Sequence, residues 1–283
     1  MKQFLILVWV GVLLIGCQAS DVARRNAVKC FDTSGLSPEE RELADSLLAL
    51  GLDNEALYTL FAPLKPISTV VQFSLNVARP DSLPAGIRNA TSPDKPEFEL
   101  LRKYQRIVNA LCSEHVELFL IPFRRADKSK RFFEIVAVDK RLLSDIIRRD
   151  QAFWGQWGFV AESHPATVLT ATEFEEKLDR YRAYGYLFGY PEHAITFFVE
   201  AARAQDCTGV FVQRDFFQIP VYSAKTGRFV YAVPKGYVPM AMDSLIYREA
   251  EKILAQYTLL RARYLDSRGR LRAIDLLRER CLP

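Results

Sequence analysis

The chain has 283 residues, of which 49% are hydrophobic and 25% are charged. This composition is that of a folded globular protein, and it excludes a disordered or low-complexity chain. The formal net charge is only +4, so we do not expect nucleic acid to be a partner of this protein.

The N-terminus has the pattern of a secretory signal. Lys2 precedes twelve apolar residues, Phe4 to Ile15, a run that fits a signal core of roughly 7 to 15 residues. It is shorter than the about 20 residues that a transmembrane helix needs. The segment Leu14-Ile15-Gly16-Cys17 resembles the lipobox of bacterial lipoprotein precursors. An ordinary small-residue cleavage site at Cys17-Gln18-Ala19 is the alternative.

The lipobox resemblance implies a membrane anchor. In that family residues 1–16 are removed, and Cys17 receives a diacylglyceryl thioether and commonly a further acyl chain, such as palmitate, on its amine. Two or more chains hold a protein stably on a bilayer, so the membrane is the first expected partner. An Asp after the cysteine tends to retain such proteins in the inner membrane, whereas this chain has Gln18. We therefore expect an outer-membrane lipoprotein that faces the periplasm or the cell surface.

Two organisational predictions follow the anchor. Residues 17–36 are polar and are predicted to be a flexible tether, and residues 37–283 are predicted to form one α+β globular domain. Besides Cys17 there are four cysteines, in a compartment that permits disulfides. The preferred pairing joins Cys112 to Cys207 and Cys30 to Cys281; four unpaired thiols are the alternative.

Helices dominate the first part of the predicted domain. Ser37-Pro38-Glu39-Glu40 is typical of a capped helix start, and Gly51 is predicted to end that helix. A second helix should run from Asp53 to Pro63. The alternating residues Ile67–Val77 predict a β-strand, and the proline-rich stretch up to Pro96 predicts a long loop.

Helices and hairpins alternate in the rest of the chain. The predicted elements are a helix at Phe98–Leu111, an antiparallel hairpin of Val116–Phe123 and Phe132–Val138, a helix at Leu142–Trp154, a helix capped by Thr170 or Thr172 that runs to about Tyr184, a helix at Pro191–Ala204, a strand at Val210–Val212, a hairpin of Gln218–Ala224 and Phe229–Val233, and a long C-terminal helix at Ile246–Tyr264. This order predicts an α+β fold in which antiparallel hairpins or a mixed sheet pack against amphipathic helices.

The chain contains three histidines, each near a glutamate: His115, His164 and His193. Three imidazoles could hold a catalytic zinc ion that keeps an open position for water. The histidines are far apart in the sequence and form no His-Glu-x-x-His motif, which argues against a metal site. We therefore expect neither a metal nor another cofactor, and favour surface polar roles for these residues.

One aromatic stretch could form a binding site. It runs Tyr184-Gly185-Tyr186-Leu187-Phe188-Gly189-Tyr190-Pro191-Glu192-His193. Aromatic side chains supply apolar walls with a polar handle, so Tyr184, Tyr186, Phe188 and Tyr190 could line a ligand pocket. Packing in the core is the competing explanation for the aromatic residues, and helix initiation is the competing role for Glu192.

Two basic stretches could contact anionic surfaces. The segment from Arg124 to Arg131 places five cations at a predicted hairpin tip, which could contact lipid head groups or glycans. A solvated turn is the alternative there. The arginines that follow residue 260 flank Leu271, Ile274 and Leu277, which predicts either a membrane or partner helix or a terminal helix docked on the domain.

Two functional hypotheses remain. The favoured one is a non-catalytic, lipid-anchored envelope protein that binds another envelope protein or a small ligand. The alternative is a periplasmic hydrolase, with or without a metal, that uses Glu192 and His193. Neither a Gly-x-Ser-x-Gly nucleophile elbow nor a P-loop is present in the sequence, which favours the first hypothesis.

Overall fold

The computed structural model describes residues 30–77, 96–127 and 129–281. The predicted signal, the lipobox with Cys17 and the proline-rich stretch 78–95 lie outside the described residues. Within them the fold is α+β, as predicted, with ten α-helices and two antiparallel sheets. No helix in this described part is both long and apolar enough to cross a membrane.

The helices are α1 (Pro38–Asp53), α2 (Leu57–Leu60), α3 (Pro96–Ala110), α4 (Lys140–Arg149), α5 (Gln151–Trp154), α6 (Pro165–Phe174), α7 (Lys177–Leu187), α8 (Glu192–Thr208), α9 (Ala241–Arg263) and α10 (Ala273–Cys281). The strands are β1 (Ile67–Leu75), β2 (Val116–Asp127), β3 (Lys130–Asp139), β4 (Arg214–Ile219) and β5 (Phe229–Pro234). The 23-residue helix α9 is the predicted long C-terminal helix.

The larger sheet has three antiparallel strands in the order β1-β3-β2. The predicted hairpin of β2 and β3 is present, and Val116 pairs with Asp139 at its open end. Side chains alternate across a strand, and β3 is covered on both faces. Ile135 and Ala137 join one hydrophobic cluster, whereas Val136 and Val138 join the other. The central strand therefore divides the core into two halves.

The two halves of the core are built largely by different helices, although α8 contributes Ala194 to the first and Ile195 to the second. The first cluster contains apolar residues of α1, α2, α3, α9 and α10 together with the β4–β5 hairpin. The second contains those of α4 to α8 and is centred on Trp154, which is fully buried. Tyr190 packs against both clusters. The aromatic stretch singled out in the sequence thus lies where the two halves meet.

Two predicted strands differ from the structure. β4 and β5 pair antiparallel from Arg214↔Pro234 to Ile219↔Phe229, so the first strand of this hairpin begins and ends earlier than predicted. Residues 210–212 form no strand, and Val210 and Phe211 are exposed. Residues 210–212 and 214–219 both contain apolar residues that suit a strand. Only residues 214–219 pair with β5, and this pairing makes them the strand.

Several helix boundaries also differ. The predicted capping box is present, since Glu40 N donates to Ser37 Oγ and Ser37 N donates to Glu40. Gly51, however, lies inside α1 rather than ending it. A Cβ at this position would come within 3.2 Å of Ala56 and 3.3 Å of Val70. The glycine therefore allows close packing of α1 and does not terminate it.

Two predicted helices are divided in two. The predicted helix Leu142–Trp154 is split at Asp150, which ends α4 and precedes α5. The predicted helix from Thr170 to Tyr184 is split at Glu175 and Glu176, between α6 and α7. Its first half begins at Pro165, where His164 Nδ1 accepts the N–H of Ala166. The histidine cap was not recognised in the sequence.

Residues 30–36 belong to the folded domain. Phe31, Thr33 and Leu36 are buried, so the prediction of a flexible tether as far as residue 36 is wrong for residues 30–36. The guanidinium of Arg278 donates to Phe31 O at 2.7 Å and to Thr33 Oγ1 at 3.2 Å. These contacts attach the start of the described chain to α10 and explain its burial.

The cysteines agree with half of the preferred pairing. Cys30 and Cys281 form a disulfide with a Cα–Cα distance of 6.1 Å, which joins the two ends of the described chain. The predicted bridge between Cys112 and Cys207 is not formed, because Cys207 is exposed near the end of α8 whereas Cys112 forms a β-bridge with Glu117. Of the two alternatives for the C-terminal arginines, the docked helix is the one observed, with Ile274 and Leu277 buried.

Candidate functional site

A cavity of about 320 Å³ lies between α7, α8 and the β4–β5 hairpin, and we call it the aromatic pocket. Helix α7 and the turn after it supply Tyr181, Tyr184, Phe188 and Tyr190. Ala194, Ile195 and Phe198 of α8 and Phe216, Val230, Tyr231 and Ala232 of the hairpin complete the wall. Its volume is at the lower end of the range for small-molecule sites. At its rim Phe216 is 53% exposed.

The turn between α7 and α8 brings Tyr190 into this wall. Gly189 has a φ of +71°, a left-handed conformation that costs glycine little. Its N–H donates to Tyr186 O, and Tyr190 N donates to Gly185 O at 3.0 Å. A Cβ at Gly189 would also lie 3.0 Å from Pro66 Cδ. The glycine therefore closes the helix end and redirects the chain across the pocket.

Two tyrosine hydroxyls of the pocket are held by buried carboxylates. Tyr184 Oη donates to Glu173 Oε2 at 2.6 Å, and Tyr231 Oη donates to Asp243 Oδ1 at 2.5 Å. Glu173 also accepts the N–H of Arg124 at 2.9 Å. Burial, followed by these carboxylate partners, raises the pKa of both tyrosines. Because the hydroxyls have internal acceptors, the rings contribute mainly apolar surface to the cavity.

A buried lysine lies next to the pocket. Lys65 is fully buried, and its Nζ lies 2.6 Å from Glu55 Oε2. The same ammonium is 4.3 Å from the ring centre of Phe229 and 5.1 Å from that of Phe188, a pocket residue. Burial lowers the pKa of Lys65, and the charge of Glu55 opposes this change. Removing either partner would leave a poorly solvated charge, so the pair supports the position of Phe188.

A second cavity, of about 410 Å³, opens next to the first, and we call it the basic pocket. It is lined by Arg124, Arg125, Glu173, Glu176, Lys177, Arg180 and Tyr181. Tyr181 belongs to both pockets, and the bonded pair of Glu173 and Tyr184 lies across their boundary. Arg124 and Arg125, which belong to the basic segment 124–131, therefore lie beside the aromatic stretch.

His193 belongs to a hydrogen-bond network beside the aromatic pocket. Tyr237 Oη donates to Asp243 Oδ2, and His193 Nε2 lies 2.9 Å from Tyr237 Oη and 3.2 Å from Asp243 Oδ1. The hydroxyl of Tyr237 has a single proton, which it donates to Asp243. The hydrogen bond between Tyr237 Oη and His193 Nε2 therefore uses the proton on Nε2 of the histidine. Burial raises the pKa of Tyr237 to about 12. Burial would also raise the pKa of Asp243, but the hydrogen bonds from Tyr231 and Tyr237 outweigh it and lower that pKa.

The predicted catalytic pair is not brought together by these contacts. Glu192 is exposed, and its carboxylate accepts from Arg182 at 3.1 Å and from Thr196 at 2.9 Å. The His193 ring instead faces Tyr237 and Asp243. The contacts of His193 with Tyr237 and Asp243 connect α8 to the start of α9.

The three histidines have separate surroundings. His115 lies near Glu114, with 3.6 Å between Nε2 and Oε2, and His164 caps α6 and contacts the ring of Phe119 at 5.8 Å. In the part of the chain that the structure describes, no three His, Cys, Asp or Glu residues are arranged to hold a metal ion. The candidate metal ligands His115, His164 and His193 thus lie in three different environments.

The aromatic candidates are partly brought together. Tyr184, Phe188 and Tyr190 line the pocket. Tyr186 does not, because it points from the opposite side of α7 into the second core cluster and lies 5.3 Å from Phe153 between ring centres. Sequence reasoning missed Tyr181, although Tyr181, Tyr184 and Phe188 have the three- and four-residue spacing of one helix face. No local signal identified Phe216 or Tyr231, which reach the pocket from a distant hairpin.

No protein-family model, curated protein or solved structure matches this chain.

Proposed function

We propose that this protein is a lipid-anchored component of the bacterial cell envelope that binds a small, largely apolar ligand in the aromatic pocket and performs no chemistry on it. The lipobox at residues 14–17 supports the anchor, and Gln18 in place of an Asp supports the outer-membrane location. The pocket supports the binding activity.

The observation that carries this proposal is that two tyrosine hydroxyls in the pocket wall donate to carboxylates of the protein itself. The hydroxyls of Tyr184 and Tyr231 donate to Glu173 and Asp243, so they do not require hydrogen bonds from a ligand. An apolar molecule can therefore cover these two hydroxyls without leaving either of them unpaired. Ligand burial against seven aromatic rings then provides the favourable free energy.

A neutral fluorescent probe tests this proposal. N-phenylnaphthylamine should bind the purified mature protein saturably, with an increase in its fluorescence. Val230→Trp places a bulky ring in the cavity, because Val230 lines the pocket and is half-buried. This variant should weaken probe binding by about tenfold or more, which corresponds to at least about 1.4 kcal/mol.

Val160→Trp is the matched control, because Val160 is exposed and does not line the aromatic pocket. It should bind the probe as the unmodified protein does. Circular dichroism of both variants establishes that they are folded. Equal probe affinity in the two variants, or no saturable binding to the unmodified protein, would rule out the pocket as a ligand site.

A further inference from the structure

The aromatic and basic pockets adjoin at Tyr181, and this neighbourhood indicates what kind of ligand they would share. Resting on the function proposed above, we propose that the ligand is an anionic amphiphile, with its apolar part in the aromatic pocket and its acidic head group in the basic pocket.

One helix face joins the two pockets. Lys177, Arg180, Tyr181 and Tyr184 stand at positions i, i+3, i+4 and i+7 of α7, so they lie along one side of that helix. The Lys177 and Arg180 cations lie about 6 Å from the Tyr181 ring centre, at 6.0 and 5.9 Å. The side of α7 therefore changes from basic to aromatic within about two turns.

The basic pocket holds positive charge that carboxylates do not fully neutralise. Arg124 Nη1 and Arg180 Nη1 both donate to the carbonyl oxygen of Glu175, at 2.8 and 3.1 Å. A carbonyl group satisfies a guanidinium donor but carries no formal charge. The carboxylate near Arg124 is that of the exposed Glu176, at 3.8 Å. Two guanidinium groups thus converge on one neutral acceptor.

Arg125 adds to this charge. Its guanidinium lies 5.2 Å from the ring centre of Phe132, and among the described residues neither Arg125 nor Arg180 has a carboxylate within 4.0 Å. The other acid of the pocket, Glu173, is buried and already accepts from Arg124 N and Tyr184 Oη. A carboxylate or phosphate head group would gain charge-assisted hydrogen bonds here.

The two parts of the ligand site are joined without a gap in the lining. Tyr181 lines both cavities, and Arg180 lies close enough to Tyr184 for its charge to act on that hydroxyl. A chain in the aromatic pocket would therefore place its head group next to Arg180. A fatty acid and a lipid phosphate share this chemistry, and the experiment below distinguishes them.

Displacement of N-phenylnaphthylamine by four compounds tests the inference on the mature protein: octanoate, octyl phosphate, octanol and inorganic phosphate. At least one of the two octyl anions should bind about tenfold more tightly than octanol, and the tighter of them identifies the head group. Inorganic phosphate should not displace the probe, because it lacks the apolar part.

The double variant Arg125→Gln/Arg180→Gln should abolish the preference for the anion, so that octanoate, octyl phosphate and octanol displace the probe with similar affinity. Arg102→Gln/Arg148→Gln, in which both arginines are exposed and lie outside the two pockets, should keep the preference. The inference is overturned if octanol binds as tightly as both anions, or if the Arg125→Gln/Arg180→Gln variant still prefers the anion. In either case the proposed apolar binding stands. Failure of every octyl compound to displace the probe overturns both.

Discussion

Tyr184 Oη and Glu173 Oε2 form a 2.6 Å hydrogen bond at the boundary between the aromatic and basic pockets. The carboxylate is 5% exposed, and its other oxygen accepts the N–H of Arg124. Helices α6 and α7 are thus connected to strand β2 through a single buried acid. This acid fixes the Tyr184 ring as a wall of the aromatic pocket.

Tyr184→Phe should lower the free energy of unfolding by about 1–3 kcal/mol, because it removes one donor from a buried carboxylate. Urea denaturation measures the change. Tyr181→Phe is the matched control, since Tyr181 lines the same pocket but has no partner of this kind among the hydrogen bonds of the described residues. The same loss in both variants would contradict a role for the Glu173 bond.

Glu134 is predicted to make stability depend on pH. It lies on the central strand β3, is 4% exposed, and accepts from Thr69 and Gln72. Burial raises its pKa to about 7, helped by the charges of Glu55 and Glu173 and opposed by the two hydrogen bonds. The folded protein therefore holds a proton that the unfolded chain releases near pH 4.5.

The stabilising contribution of protonated Glu134 is complete below about pH 4.5 and is lost as the pH rises through about 7. Glu134→Gln keeps the acceptor for Thr69 and cannot ionise. Its free energy of unfolding relative to the unmodified protein should rise between pH 5 and pH 8, by up to about 3 kcal/mol. Urea denaturation across this range measures it, and a constant difference would contradict the raised pKa.

Removal of the Cys30–Cys281 disulfide should destabilise the fold. The bridge closes a loop with a sequence separation of 251 residues, and loss of a native disulfide typically costs about 2–5 kcal/mol. Cys30→Ser/Cys281→Ser should therefore lower the midpoint of urea denaturation, whereas Cys207→Ser should not, because Cys207 is exposed and not disulfide-bonded. Peptide mass spectrometry under non-reducing conditions detects the bridge; finding both cysteines as thiols would refute it.

Gly185 is required by the contact between α7 and α8. A Cβ there would lie 2.7 Å from Ile195 Cγ1, so Gly185→Ala should cost about 1–3 kcal/mol of stability, despite the roughly 1 kcal/mol gain in helix propensity. Ile195→Ala removes the clashing atoms. In that background the added methyl should cost much less, and a double-mutant cycle measures the coupling. Additive costs would mean that the two positions do not interact in this way.

The lipobox resemblance predicts that Cys17 carries the lipid anchor. In a bacterial host that lipidates proteins, the mature protein should begin at Cys17, carry acyl chains detectable by intact-mass spectrometry, and partition with membranes. Cys17→Ala should lose both the acyl mass and the membrane partitioning. An unmodified N-terminus at another residue of the wild-type protein would instead indicate ordinary signal cleavage.

Local patterns in the sequence determined a large part of the fold. The capping box at Ser37 and Glu40, the hairpin of β2 and β3 and the long helix α9 depend on residues that are close in the chain, so their hydrogen bonds and apolar spacing can be recognised there. The sequence also indicated the aromatic stretch around Tyr184 and Tyr190. It did not determine which of these rings face a cavity.

Only the tertiary structure decided which of these rings face the cavity, because this depends on how distant elements pack. Tyr186 and Tyr184 are equally aromatic, but they lie on different sides of α7. Tyr186 packs against Phe153 in the core, whereas Tyr184 is bonded to Glu173 and lines the pocket. Likewise Asp243 becomes a buried acceptor for Tyr231 because α9 packs against β5. The sequence determines local hydrogen bonding and the side of each element that is apolar, whereas a binding site is the space that remains after distant elements have packed.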